Sequence, residues 1–184
     1  VYPCPGRGRN RPGYHRRPVP EAPIDITPAS VLAMWAAGLA AATALVAWWR
    51  VVGPGFVWLS GGVVLLFGVP AVLAGAGGWA AAASVVAGVA TTAGATRFGS
   101  PLLAAAAIGY LVAAIPDGGV VASMTGTVFL GWITAEMMLG HWFLVDPRLP
   151  RWSLRRLDLI AGAAALVDAA VLIWLGAIPW GAGD

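Results

Sequence analysis

The sequence has no lysine: all 11 of its basic residues are arginine. Charge of either sign is scarce, 10% of 184 residues, where an ordinary soluble domain carries about 25%. Residues 51–96 contain no Asp, Glu, Lys or Arg at all. So few charges cannot cover a water-facing surface, which excludes a soluble globular domain. The single cysteine, Cys4, excludes an internal disulfide and says nothing of redox compartment. The usual catalytic and ligand patterns are also missing. There is no glycine-rich phosphate loop ending in lysine, no HExxH, no CxxC and no GxSxG. No internal repeat of transporter type stands out, because the apolar runs differ in length and polarity.

What is present is apolar: 59% of the residues are hydrophobic and 25 are glycine. A run of about 18 or more apolar residues is the signature of a membrane-spanning helix. The pattern predicts an all-α, polytopic integral membrane helix bundle of about six spans, at 30–52, 55–74, 79–95, 101–115, 120–145 and 157–178. Residues 1–29, rich in Arg, Pro and Gly, read as a disordered tail. Trp48, Trp49 and Arg50 mark the end of the first span, since Trp favours the membrane interface and Arg the water beyond it. Pro70 predicts a kink in the second, and the Gly75–Gly78 run a turn. The third span is nearly all Ala, Gly, Val and Thr, a surface for close helix packing, with Ser84 and Gly88 as a small pair four apart. The fourth is short, either a tilted span or a re-entrant segment, ending at the turn-forming Pro116, Asp117, Gly118 and Gly119.

Arginine in place of every lysine, with the Ala and Gly load, suggests a GC-rich bacterial genome, and so the inner (plasma) membrane. Six spans put Arg50, Arg97, Arg148, Arg151, Arg155 and Arg156 on one side. Arg7, Arg9, Arg11, Arg16 and Arg17 fall on the other with both termini. The first set lies closer to span ends, which favours cytoplasmic loops and outward termini. The net charge of +3 is held in a tail and at helix ends. Membrane lipids with anionic headgroups are therefore the expected partners, other membrane-protein subunits come next, and nucleic acid is disfavoured.

Residues 119–179 hold nearly all the intramembrane chemistry. Glu136 and Asp168 lie near the centres of the last two expected spans, where a carboxylate is costly. Both are expected about 14–15 Å from the connecting loop, so the pair forms a candidate proton or cation site at one depth. A neutral carboxyl hydrogen-bonded to Thr134, Thr92 or a backbone carbonyl is the structural counterpart. His141 is a candidate interfacial ligand. Five residues from Glu136, it points about 140° away from it, so the two serve different neighbours. A haem held by two histidines is disfavoured because the other histidine, His15, is in the tail. Arg148, Arg151, Arg155 and Arg156, with Trp152 among them, form a candidate contact for lipid headgroups or a partner. Ser153 is the expected N-cap of the last span. No cofactor and no metal site is expected. The expected role is an accessory or structural subunit of a larger membrane complex. A small proton- or cation-coupled transporter using the two carboxyls is the alternative, and a lipid-active enzyme ranks last.

Overall fold

A computed structural model describes residues 26–93 and 98–175. These residues form six α-helices and no strand: α1 (Pro28–Trp48), α2 (Pro54–Leu73), α3 (Gly77–Ala93), α4 (Gly99–Gly118), α5 (Val120–Val145) and α6 (Arg151–Trp174). Five are long and apolar enough to cross a membrane; α3, with 17 residues, is shorter. At 1.5 Å per residue it is about 26 Å long, a little under a hydrocarbon core of about 30 Å. Most of the expected tail, residues 1–25, lies outside the described residues.

Several ends differ from the expected ones for local reasons. α1 begins inside the expected tail because Thr27 caps it, accepting from the Ser30 amide, and Pro28 supplies the first-turn φ. α4 runs through Pro116 to Gly118, giving it 20 residues, rather than stopping before a turn. Pro116 gives up one backbone hydrogen bond without ending the helix, and the break comes at Gly119, whose φ of +69° is left-handed. Gly75 and Gly77, at φ +103° and +80°, reverse the chain between α2 and α3. α6 starts at Arg151, six residues before the expected span. Charge marks where a membrane ends, not where a helix ends. Ser153 and Leu157 form a fully buried stripe that makes the helix worth continuing beyond the last apolar run. Ser153 is therefore not the cap: its hydroxyl donates to the Pro150 carbonyl at 2.8 Å, and Pro150 precedes the first turn.

α1 is the central helix, packed on α2, α4 and α5, while α3 lies against α2 and α4, and α6 principally against α5. Small residues make this closeness feasible. Gly38 of α1 and Gly131 of α5 touch backbone to backbone, so that a Cβ on either would overlap the other chain. The buried stripe of α3 is Ala80, Ala83, Ala87 and Ala90. Ser84 sits at its margin, and Gly88 faces open space, so the expected pairing of Ser84 with Gly88 is not the contact that forms.

Two pairs of interior polar side chains close on one another, while the hydroxyls of Thr43, Ser60 and Thr127 and the Trp132 indole N–H are buried without a hydrogen-bond partner. Tyr110 of α4, fully buried, reaches Ser84 of α3 at 2.8 Å, and the Ser84 hydroxyl donates to the Ala80 carbonyl at 2.8 Å. With the Ser84 proton so placed, Tyr110 is the donor to Ser84. Gly68 of α2 leaves the space that the phenol head fills. Trp35 of α1 stacks on Phe67 of α2, centroids 4.4 Å apart, and its indole N–H donates to Thr134 of α5 at 2.7 Å. At one end of the bundle, the Thr27 hydroxyl donates to Asp117 at 2.6 Å, tying the start of α1 to the end of α4. At the other, Ser100 donates to the Ala44 carbonyl at 2.8 Å.

Candidate functional site

The two intramembrane carboxyls do not meet. Asp168 is 8% exposed, and one of its carboxyl oxygens faces Gly126 of α5, beside the sulfur of Met34 of α1. Gly126, Met34 and Asp168 each lie six residues from the same end of their helices, at Val120, Pro28 and Trp174. That places Asp168 about 9 Å from that end and about 26 Å along α6 from its start. Glu136 is ten residues further along α5 than Gly126, an axial distance of about 15 Å. It is half-buried, level with the stretch of α6 around Leu157. The expectation of one shared depth failed because the extra turns at the start of α6 shift Asp168 away from the loop.

Among the described residues, neither carboxyl makes a hydrogen bond or ion pair. Thr134 is engaged instead with the Leu130 carbonyl and Trp35, and Thr92 donates to the Val89 carbonyl. α1 contains no titratable residue, and α5 offers only Glu136 and His141, both well removed from Gly126. Asp168 is therefore the one buried acid among the described residues, set against a glycine and a thioether.

His141 is exposed near the loop end of α5. Its Nδ1 donates to the Met137 carbonyl at 2.9 Å, and Nε2 makes no hydrogen bond among the described residues. That bond ties the ring to its own helix, and no three His, Cys, Asp or Glu side chains gather as metal ligands among the described residues.

All five described arginines lie at the loop end: Arg50 after α1, Arg148 between α5 and α6, and Arg151, Arg155 and Arg156 in the first turns of α6. The last four were expected in a loop; three of them ride on a helix. Their side chains are exposed and, among the described residues, unpaired. Trp152 stands edge-on to Trp49, ring centroids 5.5 Å apart, and the Arg156 guanidinium lies 5.0 Å over the Trp152 ring.

Two apolar grooves open on the sides of the bundle. One, of about 580 Å³, lies over α1 between α4 and α5, with Ala41, Trp48, Ala104, Ile108 and Trp132 in its walls. The other, of about 460 Å³, runs between α5 and α6 beside Met124, Val128, Ala163 and Val167. Sequence reasoning missed both, as well as the Tyr110 contact with Ser84. A lone tyrosine in an aliphatic run signals the latter, since a buried phenol needs a partner.

Comparison of the chain with protein-family models, with curated proteins and with solved structures found no match.

Proposed function

We propose that this multi-pass membrane protein is an accessory or structural subunit of a larger membrane complex. The supporting observation is the placement of α6. It is held principally by α5 and turns Leu159, Leu166, Val167, Ile173 and Trp174 outward beside the Ala163-lined groove. Small residues next to a ridge of large ones suit the approach of another helix. Purification of the full chain in mild detergent tests this. A stoichiometric membrane-protein partner supports the proposal; a chain that runs alone or only as its own oligomer overturns it.

A second reading, a small proton- or cation-coupled carrier, draws on Asp168 alone. A buried intramembrane acid without a partner is by default a candidate functional group. Glu136, some 15 Å away, is not part of the same site in this reading. Proteoliposomes holding Asp168→Asn should lose coupled flux that the parent supports.

The arginine-bearing end is assigned to the cytoplasm by the positive-inside rule, which puts both termini outside. Cys4 should then react with a membrane-impermeant thiol reagent in intact cells; labelling only after lysis reverses the orientation.

A further inference from the structure

We propose that the first turns of α6, with Trp49, form a binding site for the phosphate of an anionic phospholipid in the adjoining leaflet. The rotation of α6 is fixed by its inward stripe, since Ser153 and Leu157 are both completely buried. Arg151 and Arg155, two residues to either side of Ser153, are therefore turned about 160° from it. They stand one turn apart on the outer face. Arg148 precedes them in the connecting loop. Trp152 and Arg156 form the flank, also one turn apart.

The flank is pre-organised. Trp49 buttresses the Trp152 ring edge-on, and the Arg156 guanidinium lies over that ring at 5.0 Å. A guanidinium held over an aromatic face still has N–H donors to offer, and its planar fork matches two phosphate oxygens. Tryptophan also sets the depth, because indole rings settle at the headgroup level. The nearby carboxylates do not use up the arginines. Asp146 accepts the backbone amide of Arg148 at 3.2 Å, and Asp158, one turn deeper than Arg155, makes no ion pair among the described residues. Topology alone asks for positive charge near a span end; it does not ask for a guanidinium held over a buttressed indole. The ligand chemistry is a phosphodiester carried on acyl chains, so its source is the bilayer and not the cytosol.

The test uses the full chain, purified in mild detergent and supplied with a defined mixture of phosphatidylglycerol and phosphatidylcholine, with retained lipids counted by native mass spectrometry. The parent should retain phosphatidylglycerol preferentially. Each arginine near an anionic surface is worth about a fivefold change in binding. Replacing Arg148, Arg151, Arg155 and Arg156 by Gln should therefore reduce retention by about a hundredfold or more. The paired Arg155→Lys and Arg156→Lys variant keeps net charge and topology but loses the fork, and should still lose several-fold. Unchanged retention in that variant overturns the site and leaves general charge attraction. Equal loss on Arg50→Gln, which lies outside the proposed site, overturns it in the same way. Inorganic phosphate that competes at millimolar concentration overturns the lipid source in favour of a soluble anion. Retention of an acidic protein in place of lipid overturns it in favour of a protein partner.

Discussion

Gly131 of α5 rests on the backbone of Gly38 of α1, with no room for a side chain on either. This is the crossing about which the central helix is held. Gly131→Ala should force the helices apart, and overpacking of this kind costs about 1–3 kcal/mol, occasionally more. Gly62 on α2 has nothing within 4 Å of its would-be Cβ, so Gly62→Ala should be neutral or slightly stabilising. Thermal unfolding followed by size-exclusion chromatography in detergent measures both. Equal melting of the two variants would remove the crossing as an organising contact.

The Tyr110 contact with Ser84 makes a graded prediction. Tyr110→Phe removes one hydrogen bond but leaves Ser84 bonded to Ala80, so it should cost about 1 kcal/mol. Gly68→Ala should cost more, because its methyl would meet the phenol head. In combination with Tyr110→Ala, that clash disappears, so the double variant should be milder than the sum of the singles. Additive losses would show that the phenol does not sit under Gly68.

On α3, Ser84→Leu should destabilise the bundle and Gly88→Leu should not. Ser84 is bonded into the α4 interface, while Gly88 looks onto open space. Comparable losses in melting temperature from both would mean that α3 is rotated from its described setting.

Asp168 and Glu136 are far enough apart to act independently. Sites more than about 7–10 Å apart usually add within about 0.5 kcal/mol. The stability changes of Asp168→Asn and Glu136→Gln should therefore sum in the double variant. A larger coupling term would bring back the shared carboxyl site. Asp168→Asn alone should melt at or above the parent temperature, since no hydrogen bond to the carboxyl is lost. A loss of more than about 1 kcal/mol would mark the carboxyl as a structural tie.

The helical bundle was legible because uncharged length is its own signal: residues 51–96 left nothing but membrane to contain them. Helix register was not legible. Whether Asp168 faces Glu136 or Gly126 depends on where α6 begins, and that depends on Ser153 and Leu157 being buried, a tertiary fact. The same limit applied to α3, where choosing the Ala80 stripe over the pair of Ser84 and Gly88 requires knowing where α4 lies. The arginines were visible as a cluster. That Trp49, a hundred residues away in the chain, would support Trp152 was not.

The most enclosed helix of the bundle, α1, precedes in the chain every helix that encloses it. During synthesis it must enter the bilayer before α4 and α5 exist to cover its Ala and Gly faces or to meet Trp35 and the Ala44 carbonyl. Until then α2, the next helix in the chain, is its neighbour on one side, and the Gly38 crossing closes only when α5 arrives about ninety residues later. At about 5–20 residues per second, that wait lasts roughly 5 to 20 seconds, and a membrane chaperone or a neighbouring subunit has that interval in which to hold the exposed face.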